Sequence, residues 1–428
     1  MLEFRRIGMA ADPYTLMADV AIVGAGPAGA ATSLWLSKLG VRHVLFDAAT
    51  FPRDKVCGDA QSGKAVSELR RLDPSLVAEM AGDGGRFLGS WGFIFVAPNG
   101  RPVEVPFRIN PGGTEQPPGF LCRRREFDRF LVEHLDGRFV ERHFGARVTG
   151  LERKPDGVRL TYSENGRDRQ GLFQIVVGAG GDRCVVAKRF GLKTVEPRHY
   201  SAGLRAYYEN VSGLHPRGFI ELHFLPEVLP GYFWIFPLPN GLANVGIGVL
   251  SETVRKKRMN LKRILQDTVT ARPSIAARFR NARLVAGPHG WGLPLGSKPR
   301  RISGGWVLLV GDAASLIDPL SGEGVGNALV SGRIAAEVIA EAVARGDFSG
   351  RFLQRYDQRI RQELGAELKL SHRLQRLMRR PWLFNLVANK ASRDPELRET
   401  ISHMFDDLNV RAKLRSPLFY LKLLLGAN

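Results

Sequence analysis

A glycine-rich turn near the start of the chain most restricts the possible folds. The segment Gly24-Ala-Gly26-Pro-Ala-Gly29 lies between an apolar strand predicted over 19–23 and a small-residue helix predicted over about 27–39. In such a unit the first glycine permits a tight turn, the second lets the backbone approach a pyrophosphate, and the third lets the helix pack on the strand. The next predicted strand ends in Asp47, where an acidic residue binds ribose hydroxyls. The segment therefore predicts a dinucleotide site, but it does not distinguish FAD from NAD.

A second segment far along the chain favours FAD. An apolar strand predicted over 306–310 leads through Gly311 to Asp312, at a strand end where flavoproteins hold a ribityl hydroxyl. A long helix predicted through about residue 344 follows, opened by Gly322, Gly324 and Gly326. Its first N–H groups and positive dipole end would face the pyrimidine edge of a flavin, where the reduced form carries negative charge. The two segments together predict a flavin site.

Four segments carry a resemblance to the geranylgeranyl reductase family, within the flavoproteins related to para-hydroxybenzoate hydroxylase. They are VAIVGAGPAGAA, FPRDKVCGD, YFWIFPLPNGLANVGIG and LLVGDAASLIDPLSGEGVGNAL. A further piece, RRREFD, resembles a helix start at which an arginine contacts FAD, and its register indicates Arg124, with Arg123 and Arg125 as competitors. The resemblance spans residues 17 to about 345.

The resemblance implies a set of FAD contacts on this chain. They are Gly24, Ala25, Gly26, Pro27, Ala28, Gly29, Asp47, Ala48, Arg53, Cys57, Gly58, Arg124, Val148, Gly311, Asp312, Gly322, Gly324 and Val325. It also implies that the Cys57 thiol lies near the flavin, as a proton donor or a polarisable wall, while a small buried filler is the plain alternative.

Aromatic residues mark a second implied site. Tyr232 and Trp234 occupy alternate strand positions and so share a face, and they resemble the family's signature for the substrate cavity. Core packing alone also explains such a strand. His289, in GPHGWG, is either a second catalytic acid or a structural histidine.

Two parts of the chain depart from the family pattern. In VVGAGGDRCVV, Gly180 stands where related flavoproteins usually carry an aspartate, so a nicotinamide or pyrophosphate contact ascribed to that aspartate does not carry over. The basic region after Gly346 does not align with the family.

The motif positions predict an α/β fold, α+β overall, with a discontinuous flavin domain. Residues 17–75, 120–200 and 285–345 are assigned to a Rossmann-like FAD-binding domain with a parallel sheet. Residues 76–119 and 201–284 are assigned to an inserted substrate-binding domain, with antiparallel strands at 203–208, 219–224, 232–237 and 244–249. Apolar residues at helical spacing over 352–380 predict that the basic C-terminal region, 346–428, is helical.

The formal net charge of +20 predicts a negatively charged partner. No nucleic-acid-binding module is recognisable, so nucleic acid is not expected. Arginines at 373, 376, 379 and 380 lie beside the apolar residues 381–384, and a short apolar tail covers 416–428. This pattern favours an anionic membrane surface, with a solvated basic face as the alternative.

Membrane spans, signals and metal sites are not expected. No run reaches the roughly 18 to 20 apolar residues needed to cross a bilayer, and the first residues lack the apolar stretch of a secretory signal. We therefore expect a cytoplasmic protein, peripheral on the cytoplasmic membrane. Cys57, Cys122 and Cys184 are scattered, so neither a disulfide framework nor a zinc site is expected.

The sequence predicts an FAD-dependent reductase that saturates carbon–carbon double bonds of a polyprenyl chain on a lipid, quinone or tetrapyrrole. NAD(P)H, ferredoxin or another carrier would supply the electrons. A flavin monooxygenase or halogenase is one alternative, although Tyr232–Pro237 differs from the Trp-x-Trp-x-Ile-Pro stretch expected of a halogenase. An electron-transfer flavoprotein donating to quinone is another, although such proteins commonly add a cysteine-rich iron–sulfur module.

Overall fold

The structure, a computed structural model, describes residues 16–107 and 116–394. In chain order its strands are β1 (Leu16–Val23), β2 (His43–Asp47), β3 (Ala60–Gln61), β4 (Leu88–Ser90), β5 (Gly92–Val96), β6 (Pro102–Pro106), β7 (Gly119–Leu121), β8 (Val140–Phe144), β9 (Arg147–Lys154), β10 (Gly157–Glu164), β11 (Arg167–Gly178), β12 (Tyr200–Glu209), β13 (Ile220–His223), β14 (Tyr232–Pro237), β15 (Leu242–Leu250), β16 (Arg283–Pro294), β17 (Ser303–Gly304) and β18 (Val307–Leu309). Its α-helices are α1 (Pro27–Lys38), α2 (Gly63–Leu72), α3 (Pro74–Gly82), α4 (Arg124–Glu133), α5 (Val185–Arg189), α6 (Ser251–Lys257), α7 (Leu261–Ala271), α8 (Pro273–Phe279), α9 (Val325–Arg345), α10 (Gly350–Leu377) and α11 (Pro381–Ala391).

The first sheet carries the predicted dinucleotide unit. Its strand order is β17-β18-β11-β1-β2-β8, and the β9–β10 hairpin extends from β11. The pairs β18–β11, β11–β1, β1–β2 and β2–β8 are parallel. Carboxyl ends of parallel strands meet at one edge of a sheet, so the turn after β1, Asp47 at the end of β2 and Gly311 after β18 lie at the same edge.

The second sheet confirms the predicted antiparallel insertion. Its order is β16-β12-β15-β14-β13-β5-β6, and its pairs are antiparallel except β13–β5. The strands predicted between 203 and 249 correspond to β12, β13, β14 and β15. A small third sheet has the strand order β3-β7-β4.

The sheet pairing cuts across two of the predicted domain segments. The boundary at 285 falls inside β16, which pairs with β12 along its length and belongs to the second sheet. Its Gly and Pro residues resemble a loop in sequence, but the partner strand supplies the hydrogen bonds that hold it extended. Within the predicted insertion 76–119, β5 and β6 join the second sheet, whereas β4 pairs with β7 in the third.

The C-terminal region is helical as far as the structure describes it, but in two pieces. The predicted helix over 352–380 ends at Leu377, and Pro381 occupies the first turn of α11, where its missing N–H is not needed. On α10 the buried Tyr356 hydroxyl donates to the Leu309 carbonyl oxygen at 2.8 Å, which anchors the helix to the first sheet. Among the described residues, no helix combines the length and apolar character needed to cross a bilayer.

Candidate functional site

One cavity of about 670 Å³ lies between the strand ends of the first sheet, the second sheet and α10. Its walls include most of the residues that the sequence implied as site residues: Gly24, Gly26, Pro27, Ala28, Asp47, Ala48, Arg53, Cys57, Gly58, Arg124, Val148, Tyr232, Trp234, Asp312, Gly322, Gly324 and Val325. Three implied residues, Ala25, Gly29 and Gly311, lie behind this wall rather than in it. The cavity wall thus brings together the two predicted flavin segments, one near Gly24 and the other near Asp312.

The three glycines of the first turn serve different needs. Gly24 has φ +111°, and a Cβ there would lie 2.5 Å from the Ala179 carbonyl oxygen. A Cβ on Gly29 would lie 1.8 Å from the Gly24 carbonyl oxygen, so packing of the protein itself requires both glycines. A Cβ on Gly26 would meet nothing nearer than Arg53 Nη2 at 3.5 Å. Gly26 therefore keeps room open toward the cavity, as a bound pyrophosphate requires.

Asp47 orders the edge of the cavity next to this turn. Its Oδ2 accepts the Ala25 N–H at 2.8 Å, and its Oδ1 accepts the Ala49 N–H at 2.9 Å. Arg53 lies 3.5 Å from Asp47 and 3.1 Å from the buried Asp128 carboxylate. The Asp47 carboxylate is thus fixed in the cavity wall, where it can accept hydrogen bonds from ribose hydroxyls.

Among the three competing arginines, Arg124 reaches the cavity. It is buried, and its Nε donates to Asp128 Oδ1 at 2.9 Å. Burial opposes its charge, but the paired Asp128 carboxylate raises the pKa of Arg124. Arg123 instead stacks on the Tyr207 ring at 4.8 Å, and Arg125 pairs with Glu126 at 3.0 Å. Arg124 is thus the one of the three that lines the cavity, and its contact with FAD stays a prediction.

The distal segment supplies the opposite wall. Burial raises the pKa of the Asp312 carboxyl, and nearby Lys55 partly offsets that shift. Helix α9 begins at Val325, and its N-cap, Gly324, has no side chain to cap the first N–H groups. Since both residues line the cavity, the positive end of α9 faces it. A carboxyl for the ribityl chain and a helix N-terminus for the flavin ring fit FAD.

Strand β14 forms an aromatic wall. The Tyr232 and Trp234 rings lie 6.1 Å apart on one face of the strand, as their alternation predicts, and Phe236 lies 6.1 Å from Trp234. The Tyr232 hydroxyl donates to the Ser321 carbonyl oxygen of the loop before α9. The aromatic wall therefore adjoins the flavin side of the same cavity.

A buried polar network that the sequence did not predict holds the Cys57 turn. Asp59 accepts the Tyr207 hydroxyl at 2.6 Å, the Asn244 amide at 2.8 Å and the Arg124 N–H at 3.0 Å. Asn244 also donates to the Cys57 carbonyl oxygen at 2.8 Å and accepts the Trp234 indole N–H at 2.8 Å. Asp59 and Asn244 both lie inside segments that resemble the family, which is the signal that could have identified them.

This network makes stability depend on pH. Burial raises the pKa of Asp59 from 3.8 to about 6, so the folded protein holds this proton more tightly than the unfolded chain. Stability from this carboxyl is therefore present below pH 4 and is lost as pH rises to 6, by roughly 3 kcal/mol. We expect the difference in Tm between Asp59→Asn and the parent to shift in favour of the variant over that range.

The control for this prediction is Asp136→Asn. Arg138 lowers the pKa of that exposed carboxyl to about 2, so the difference in Tm between this variant and the parent should stay constant from pH 4 to 6. A constant difference for Asp59→Asn over the same range would contradict the prediction.

Helix α10 forms part of the cavity wall. The sequence did not predict this role, because it placed residues 346–428 in a separate C-terminal region. The contributions of α10 are Glu367, Leu370, Ser371, Leu374 and Gln375. Glu367 pairs with Lys64 of α2 at 2.6 Å, and the Gln375 amide donates to the Pro319 carbonyl oxygen at 2.5 Å. Helix α10 therefore belongs to the site itself.

The other residues that the sequence singled out lie partly inside and partly outside the cavity wall. His289 is exposed and does not line the cavity, so its proposed role as a second acid is not supported. Gly180, Gly181 and Arg183 do line it, as expected for a loop near a flavin. The other two cysteines, Cys122 and Cys184, are buried, and the described part of the chain contains no cluster of possible metal ligands.

The chain is similar in sequence and fold to several known proteins. The model of the FAD binding domain family matches residues 17–368. A menaquinone reductase of Mycobacterium tuberculosis is 32% identical over 74% of this chain and 76% of its own length. A digeranylgeranylglycerophospholipid reductase of Methanosarcina acetivorans is 29% identical over 74% of each chain. The solved structure of a geranylgeranyl bacteriochlorophyll reductase-like protein from Thermoplasma acidophilum shares the fold, with TM-score 0.77, 21% identity and coverage of 93% of this chain and 98% of its own.

Proposed function

We propose that this chain, which belongs to the FAD binding domain family and is similar to menaquinone and digeranylgeranylglycerophospholipid reductases, saturates carbon–carbon double bonds of a polyprenyl chain carried by a lipid, quinone or tetrapyrrole. The observation that carries the proposal is the single cavity in which the dinucleotide turn and the aromatic wall of β14 meet. Aromatic rings suit an apolar, unsaturated chain because they bury a large apolar area without needing hydrogen-bond partners from the substrate. The names of the two related reductases support a prenyl-lipid or quinone substrate.

The cavity residues would have three separate roles, namely binding FAD, positioning the substrate and stabilising negative charge. The turn after β1, Asp47, Arg124 and Asp312 would hold FAD, which supplies hydride chemistry when it is bound and reduced. Tyr232 and Trp234 would orient the chain and exclude water from its double bond. The N-terminus of α9 would stabilise negative charge at the adjoining wall.

The test of this function uses matched acceptors. The protein is reduced without oxygen and mixed, in a stopped-flow instrument, with a geranylgeranyl lipid or with the same lipid carrying fully saturated chains. We expect that, of these two lipids, only the unsaturated one will restore the absorbance of oxidised flavin. Restoration by a quinone with a saturated side chain would instead identify an electron-transfer flavoprotein, and restoration by oxygen alone would indicate a monooxygenase or halogenase.

Cys57 provides a more local prediction. It is half-buried in the cavity wall, and Asn244 fixes its backbone carbonyl. We expect Cys57→Ala to keep its FAD but to lose about 10-fold or more of its prenyl reduction rate, since the thiol would face the reacting groups rather than the dinucleotide turn. The measurement is bound flavin per protein together with the single-turnover rate. Full activity in Cys57→Ala would leave the thiol as a packing residue.

We also propose that the protein docks on an anionic membrane, through the end of α10 and the start of α11. Arg373, Arg376 and Arg380 are exposed there, beside the 60% exposed Trp382. On the inner side of the same segment Leu374 lines the cavity, so a docked membrane would lie close to the site. The apolar tail 416–428, the other predicted membrane element, lies outside the described residues.

Vesicle flotation tests the membrane proposal. Replacing Arg373, Arg376 and Arg380 together by Gln should weaken binding to phosphatidylglycerol vesicles about 100-fold, at roughly 1 kcal/mol for each charge. Added salt should likewise weaken binding of the parent protein to the vesicles, because salt screens the attraction between exposed charges that are more than about 8 Å apart. The same change at three exposed arginines elsewhere, Arg129 on α4, Arg138 before β8 and Arg167 on β11, is the matched control. Equal loss in both triple variants would contradict the assigned surface.

A further inference from the structure

Glu323 is a half-buried residue of the cavity wall that the sequence did not single out. Its Oε1 accepts two hydrogen bonds, from the Ser62 hydroxyl at 3.2 Å and from the Gly326 N–H at 2.5 Å. Its Oε2 is buried and has no hydrogen-bond partner among the described residues. This asymmetry matches a neutral carboxylic acid, whose carbonyl oxygen accepts both bonds and whose hydroxyl oxygen keeps a proton to donate.

The charged groups around Glu323 are consistent with the neutral form. Lys64, whose charge acts on Glu323, donates to Glu367 and to the Asn327 side chain rather than to Glu323. Asp318, on the same loop, and Glu367, on α10, both oppose a negative charge on Glu323. Burial raises the pKa of Glu323 above its usual 4.5, more than Lys64 and the Gly326 N–H lower it. The acid is thus kept protonated at pH values where an exposed glutamate is ionised.

The loop that carries Glu323 is fixed against the aromatic wall. Asp318 Oδ1 accepts the N–H groups of Leu320 and Ser321, and the Asp318 N–H donates to the Glu323 carbonyl oxygen at 2.8 Å. Tyr232 donates its hydroxyl to the Ser321 carbonyl oxygen of the same loop. Glu323 is therefore held where the aromatic wall and the N-terminus of α9 meet.

We infer that Glu323 is the catalytic acid that protonates the prenyl double bond. The inference rests on the proposed function. As the π bond breaks, one alkene carbon gains a hydride from reduced FAD and the other forms a C–H bond with the Glu323 proton. The carboxylate that remains recovers a proton from solvent, and the external electron donor returns two electrons to the cofactor, which takes up one further proton with them. In this assignment the Cys57 thiol is a wall of the cavity rather than the proton source.

The plain alternative is that Glu323 only caps α9 through the Gly326 N–H. Glu323→Gln separates the two roles, because the amide oxygen can still accept from Ser62 and Gly326 while the amide nitrogen takes the place of the acid. Capping should survive this change and proton donation should not. Glu341→Gln, an exposed position on the same helix, is the matched control.

The first readout is kinetic. We expect Glu323→Gln to bind FAD like the parent and to show a fall in kcat of about 100-fold or more, with little change in KM, the loss typical of removing a general acid. The parent rate should decline as pH rises through the raised pKa of Glu323, and the variant should lose that dependence. Glu341→Gln should match the parent.

The second readout does not depend on turnover. An infrared difference spectrum between the parent and Glu323→Gln at neutral pH should contain the carbonyl band of a protonated carboxyl, and the Glu341→Gln difference spectrum should lack it. Absence of the band in the first spectrum would overturn the inference. Parent-like kinetics in Glu323→Gln would overturn it too while leaving the reductase function intact, whereas a parent that saturates no prenyl chain would overturn both.

Discussion

Gly26→Val is expected to fold normally and to purify without FAD. A Cβ at this position has 3.5 Å of clearance from the nearest protein atom, so the valine side chain can be accommodated by the protein. It would extend into the cavity, where the backbone must approach the pyrophosphate. We expect a loss of about 3 kcal/mol or more in FAD binding, roughly 100-fold in Kd. The measurements are flavin absorbance per protein and FAD titration of the apoprotein, with circular dichroism as the test of folding.

Gly29→Val gives the matched contrast. Its Cβ would lie 1.8 Å from a backbone oxygen of the same turn, so we expect the protein to misfold rather than to lose only its cofactor. The destabilisation should be about 3 kcal/mol or more, since neither the helix nor the turn can move aside. If Gly26→Val retained its FAD, or if both variants misfolded equally, the assignment of this turn to the pyrophosphate would be wrong.

Gly246→Ala is expected to remove prenyl reduction by displacing the aromatic wall. A Cβ there would lie 2.1 Å from Trp234 Cζ2 and 2.3 Å from the Leu204 carbonyl oxygen. The indole would have to leave its position, which breaks its hydrogen bond to Asn244 and disturbs the turn that carries Cys57. Overpacking of this kind costs on the order of 3 kcal/mol. We expect a large fall in kcat/KM for the prenyl substrate and a lower Tm.

Gly248→Ala is the control on the same strand. A Cβ at Gly248 would lie 3.7 Å from Trp234 Cζ3, an ordinary contact, so this variant should fold with a Tm close to that of the parent. Equal losses of Tm in Gly246→Ala and Gly248→Ala would show that the strand tolerates no side chain at all. A normal Tm and rate in Gly246→Ala would show that the position of Trp234 does not determine activity.

Local patterns predicted the parts of the fold that depend on neighbours in sequence. The turn after β1, the strand Tyr232–Pro237 and the start of α9 could all be predicted because strand and helix periods, glycines and an acidic residue occur within a few positions of each other. The cavity could be anticipated because the two predicted flavin segments must meet. Sequence patterns were sufficient wherever the structural requirement is local.

Features that depend on distant partners could not be predicted in the same way. Asp59 is held by Tyr207 and Asn244, which lie far along the chain, and no sequence spacing connects them. The strand β16 is extended only because β12 offers it hydrogen bonds. The periodicity of α10 predicted a helix, but not that Glu367 and Gln375 would be buried beside the cavity. In each case the tertiary partner determines the role of the residue.

The measurement that tests the central claim most directly is the mass of the product. Anaerobically reduced protein is incubated with a menaquinone that has an unsaturated side chain, the quinone ring is reoxidised in air, and the product is fragmented in a mass spectrometer. We expect the side chain, not the ring, to have gained two hydrogen atoms for each double bond that is reduced. A side chain of unchanged mass together with oxidation of the flavin, or a product that contains a new hydroxyl group or halogen, would contradict the account.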